Sequence, residues 1–199
     1  MELGSRVHRF KTKLPALRGG KTSHLFRREI RVKTVEYELD SAREIIDIAK
    51  HIVADGQDSV EARRTVAYLG NRSIEMILKS FLEHAGVPLR AIKEASGSAA
   101  SLLARTDACF VQVEIVPGHR CWVPAKRLRA VAVEGEELRT IGGVLESLPQ
   151  ARRFGPAPAY RDNPPEPETL LRTSQTLLSW VERHWDAARA DRWDDADEE

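Results

Sequence analysis

The chain has 199 residues, 42% of them apolar, and a formal net charge of +1, which is enough for one ordinary domain with its own core and too little for two large ones. No run of eighteen apolar residues occurs, and the opening stretch MELGSRVHRFKTKLPALRGG lacks the apolar segment of a secretory signal, so a cytoplasmic protein with no membrane partner is expected. Cys109 and Cys121 are too few for a disulfide framework and are expected as free thiols.

The small net charge hides a strong asymmetry. Residues 1–33 hold ten lysines and arginines against Glu2 and Glu29, whereas the closing stretch DAARADRWDDADEE carries seven acids against two arginines. The basic arm, residues 1–27, supplies Arg6, Arg9, Lys11, Lys13, Arg18, Lys21 and Arg27, continued by Arg28. These residues are the candidate nucleic-acid contacts, because clustered Lys and Arg neutralise backbone phosphates. Mutual screening by the acidic tail, residues 191–199, and plain solvation are the competing readings. Within the arm, LRGGKTS resembles a phosphate loop in composition, but it lacks the first glycine at the GxxxxGK[ST] distance and no strand clearly precedes it. No cofactor is expected.

Residues 28–40, REIRVKTVEYELD, alternate apolar and charged side chains with one break near Lys33–Thr34, which predicts an N-terminal strand. DSAREIIDIAKHIVADG predicts a first helix with Asp40 or Ser41 as N-cap, Glu44 completing a capping box with Ser41, and a stop at Gly56. Ala42, Ile45, Ile46, Ala49, Ile52 and Val53 share its apolar face. A long second helix starts near Asp58 or Ser59 and presents Val66, Ile74, Ile77, Leu78, Phe81, Leu82 and Ala85 at spacings of three and four. Gly86 suits the left-handed position that ends it, and Gly70 in mid-helix predicts close approach by another backbone. Arg72, Glu75 and Lys79 fall three and four apart and are expected to pair along its solvated edge, with His84 in the last turn.

Two short helices joined at Gly97 come next, and then a β-hairpin spanning about 109–133, turning at Pro117–Gly118. Cys109, His119 and Cys121 could converge across that hairpin, but a structural zinc site wants four ligands and no CxxC pair occurs, so no metal is expected. ELRTIGGVLESL reads as a weak helix interrupted by Gly142–Gly143, and residues 149–167 as a proline-rich connector. The last helix runs from about Glu166 to Arg189 with Pro167 in its first turn and Leu170, Leu171, Leu177, Leu178, Val181, Trp185 and Ala188 on one face. The fold class is therefore mainly α: a four- to five-helix bundle over residues 28–190 with a small inserted β-hairpin and a possible N-terminal strand.

In order, DIAKHIVADG, YLGNRSIEMILKSFLEHAG, GVPLRAIKEASGSAASLLA, the loop ARRFG and TLLRTSQTLLSWVERHW resemble the HEPN domain, a helical-bundle family, over roughly residues 40–190. The most family-like piece is SIEMILKSFLEHAGVP. The resemblance implies a HEPN-like fold, a homodimer or a subunit of a larger complex, and an RNA-associated binding or regulatory role in a bacterial antiphage-defence or toxin–antitoxin type system. Many members are metal-independent RNases whose Arg and His stand four to six residues apart. There the His exchanges the 2′-OH proton and the guanidinium stabilises charge on the scissile phosphate. Here only Arg18 and His24 satisfy that count, in the basic arm. On the last helix Arg183 is the direct neighbour of His184, and Arg172 precedes it by eleven intervening residues. A binding role without catalysis is therefore expected. The alternatives are an RNase with a rearranged site of His184 with Arg183 or a partner chain's Arg172, and a protein-interaction subunit.

Overall fold

The computed structural model describes residues 35–56, 59–136, 138–148 and 166–190. The basic arm, all eight candidate nucleic-acid contacts, the Arg18/His24 pair, most of the predicted N-terminal strand, most of the proline-rich connector with its ARRFG loop, and the acidic tail lie outside these residues. The described part is mainly helical, with one small three-stranded antiparallel sheet.

Residues 35–38 form no strand. The backbone N–H groups of Glu36 and Tyr37 donate instead to the carboxylate of Glu83, at 2.8–3.1 Å, so their donors are spent on a side chain and not on a sheet neighbour. Helix α1 then runs Leu39–Ala54, with Glu38 as an N-cap that makes no side-chain cap bond. The predicted capping box is absent: Asp40 and Ser41 lie inside the first turn, because burying Leu39 with Ala42, Ile46 and Ala49 draws the helix start upstream. Ile45 and Ile52 are half-buried and Val53 is exposed, so the buried stripe is narrower than the periodicity suggested.

Helix α2, Val60–His84, follows its predicted bounds. Ser59 Oγ accepts from the Ala62 N–H at 3.0 Å. At the other end Gly86 sits at φ +94°, its N–H bonded to the Glu83 carbonyl at 3.0 Å and the Val87 N–H to the Leu82 carbonyl at 2.9 Å, the double bond of a Schellman stop. Helices α1 and α6, the latter Pro167–His184, both pack on α2 and also meet each other, Arg43 of α1 pairing with Glu182 of α6 at 2.8 Å. Gly70 is the reason α6 can come close: a Cβ there would stand 3.0 Å from Leu170 Cβ and 3.2 Å from the Leu170 carbonyl carbon. Ile74, Ile77, Leu78, Phe81 and Leu82 are fully buried in this three-helix layer, each contributing about 1.5–3 kcal/mol. Trp180 meets Phe81 edge to face, with centroids 5.7 Å apart.

Helices α3 (Leu89–Ala95) and α4 (Ala99–Arg105) are the expected short pair. Strands β1 (Cys109–Val116) and β2 (His119–Pro124) form the hairpin. It stops at Pro124 and not near residue 133: proline has no N–H to extend the ladder, and residues 125–130 coil into a 3₁₀ turn that buries Leu128. Helix α5, Ile141–Ser147, is not interrupted by its glycines. They fall in its first turn, capped by Thr140 Oγ1 accepting from the Gly143 N–H at 3.2 Å, and Gly142 lets the Arg129 carbonyl come within 2.9 Å of where a Cβ would be.

The last helix ends at His184, five residues before the predicted Arg189. A 3₁₀ turn, Trp185–Ala187, leads into β3, Ala188–Ala190, which pairs antiparallel with Cys109–Val111 and gives the order β2-β1-β3. Cys109 and Val111 are buried, and buried backbone groups on that edge need partners, which the continuing 3.6-residue apolar period of Trp185 and Ala188 concealed. Among the described residues no helix is long and apolar enough to cross a membrane.

Candidate nucleic-acid interface

Strand alternation divides the sheet into two faces. Cys109 and Val111 on β1 turn toward the helices and are buried. The opposite face carries Phe110, Gln112 and Glu114 of β1, their cross-strand partners Pro124, Trp122 and Arg120 of β2, and Arg189, which β3 sets opposite Phe110. Arg189 reaches across β1 and lays its guanidinium 4.0 Å from the Trp122 ring centroid. The indole remains 37% exposed, so an aromatic and a cation share one open surface.

β3 covers only Cys109–Val111, and among the described residues no strand pairs with that side of β1 from Gln112 onward. A cleft of about 600 Å³ runs there between β1 and the end of α6. From the sheet it is lined by Gln112, Glu114 and Arg120, and from the other wall by Arg183, His184 and Asp186. Each wall thus carries one guanidinium and one carboxylate. Glu114 Oε1 is engaged by the Gly118 N–H at 2.7 Å in the hairpin turn. Among the described residues, Arg120, Arg183 and Asp186 make no ion pair or hydrogen bond through their side chains.

His184 is half-buried, its ring 4.6 Å from Trp180. Burial lowers its pKa below the ordinary histidine value and the neighbouring Arg183 charge adds to this, while a hydrogen bond with the Gln112 backbone acts in the opposite direction. Arg183 and His184, consecutive at the end of α6, both border this cleft, where the helix gives way to the 3₁₀ turn. Arg172 does not join them: it lies twelve residues back, about 18 Å along the axis, bonding the Gly135 carbonyl at 3.2 Å and facing Glu136 at 3.8 Å.

Other singled-out groups have structural partners. Glu75 bridges Arg72 at 2.9 Å and Lys79 at 2.5 Å as the spacing predicted. Lys79, however, is buried to 7% exposure, 5.2 Å from the Tyr37 ring centroid, and is no part of a solvated edge. His84 Nε2–H donates to the Trp185 carbonyl at 2.8 Å and its ring stacks on Trp185 at 4.0 Å. Cys121 pairs with Val113, four residues along β1 from Cys109, about 13 Å. Among the described residues no cluster of three His, Cys, Asp or Glu could hold a metal ion.

Trp122, Arg120 and Arg189 were missed by motif reading. The alternation in HRCWVP does place Arg120 and Trp122 together, opposite Cys121 and Val123. Arg189, assigned to a helix, carried no such signal. The chain matches no family model, no curated protein and no solved structure.

Proposed function

We propose that the protein binds single-stranded RNA on the open face of its sheet and serves as a non-catalytic, RNA-associated component of a HEPN-like kind in a bacterial defence or toxin–antitoxin type system. The observation that carries the binding reading is the Arg189 guanidinium stacked on the exposed Trp122 indole, flanked by Phe110 and Arg120. An exposed ring beside cations is what unpaired bases and their phosphates require, since every base has a stacking face and every linkage a charge. The positive arm, residues 1–27, would add a salt-dependent grip on the backbone.

Fluorescence anisotropy with a labelled oligouridine at low salt tests the reading. Trp122→Ala should weaken binding by about 1–3 kcal/mol, the worth of one stacked base, and Arg189→Ala should reduce the slope of affinity against salt. Wild-type affinity in both variants would overturn it. The convergence of Arg183 and His184 on one cleft supports a second reading, a metal-independent RNase. Cleavage of RNA in EDTA that disappears in His184→Ala would establish it in place of the first.

A further inference from the structure

The cleft beside the sheet is poorly matched to a bare phosphate, because Arg120 and Arg183 are balanced by Glu114 and Asp186 and burial keeps His184 on its neutral side at pH 7. It suits a neutral ligand that presents hydrogen-bond donors and acceptors together. Resting on the RNA-binding reading, we infer that this cleft is a base-specificity pocket for guanine in the strand that stacks on Trp122. Guanine alone among the common bases offers an N–H pair, N1–H and N2–H, next to an acceptor pair, O6 and N7. A carboxylate matches the first pair and a guanidinium the second. Glu114 is held by the hairpin turn, which leaves Asp186 on one wall for the N–H pair and Arg120 on the other for O6 and N7. Arg183 remains for the phosphate of the same nucleotide. About 600 Å³ accommodates a base with its ribose, and Gln112, which lines the pocket, is the cross-strand partner of Trp122.

The experiment compares labelled oligouridines carrying one central guanosine, adenosine or inosine, titrated into the full chain and followed by anisotropy. The guanosine oligomer should bind at least tenfold more tightly than the adenosine one. Inosine, which lacks the N2 amine, should fall between them. In Asp186→Asn the ratio of the guanosine to the adenosine affinity should collapse toward one, and a circular dichroism spectrum like the wild type's would show the fold intact. Guanosine and adenosine oligomers bound within twofold by the wild type would overturn the pocket and leave the platform standing, as would an unchanged ratio in Asp186→Asn. Failure to bind any of the three oligomers overturns the RNA-binding reading itself.

Discussion

Replacing Gly70 by alanine places a methyl group between α2 and α6. On an open helix surface the change should stabilise by about 0.8–1.0 kcal/mol, because glycine is the poorer helix former. At this site the new Cβ would lie 3.0 Å from Leu170 Cβ and 3.2 Å from the Leu170 carbonyl carbon, and neither can swing aside because both belong to the rigid part of a packed helix. Forcing one extra carbon into such a contact costs about 1–3 kcal/mol, so the net expectation is a loss of about 0–2 kcal/mol, growing with Gly70→Leu. Gly97 is the control: a Cβ there meets nothing within 4 Å, and Gly97→Ala should gain about 0.4–1 kcal/mol by restricting the unfolded chain. Urea unfolding followed by far-UV circular dichroism separates the two. A gain of about 1 kcal/mol in Gly70→Ala would refute the close α2–α6 crossing.

Three further outcomes are expected. Glu83→Ala removes the acceptor of the Glu36 and Tyr37 N–H groups and should destabilise by about 2–4 kcal/mol, given about 1.5–3 kcal/mol for a hydrogen bond to a charged group, with faster hydrogen exchange at both amides. Burial pushes the Cys109 thiol up to about 12, so Ellman's reagent at pH 8 should label Cys121 in the native protein and Cys109 only after urea is added. His184 has a lowered pKa when folded, so the unfolded chain takes up the proton more readily. Stability should be level above about pH 6.5 and decline as the pH falls below it, and a shallower decline in His184→Gln, read from thermal melts between pH 7 and 5, would identify the group.

Where an element announced itself through local chemistry, the sequence was sufficient. The start of α2 near Ser59, Gly86 as a left-handed stop, Gly70 as a crossing point and Pro117–Gly118 as a turn all act within a few residues or by excluding a side chain. Elements that depend on distant partners were hidden. Nothing local in Ala188–Ala190 marks a strand, because the requirement comes from the buried edge of β1. The capping box at Ser41 is sound as a motif, but Leu39 gains more by entering the core as part of the helix. The same division holds for the site. Arg120 and Trp122 share a face by simple alternation, whereas Arg189 reaches Trp122 only after the chain has folded back across β1, and Lys79 is covered by Tyr37 from a segment that read as a strand.

Photocrosslinking a 4-thiouridine oligomer to the full chain and mapping the adducts by peptide mass spectrometry would locate the bound RNA. With RNA on the Trp122 face of the sheet, adducts are expected on Phe110, Trp122 and their neighbours in β1 and β2. Adducts confined to residues 1–34 or to the helices, with none on the hairpin, would contradict that placement.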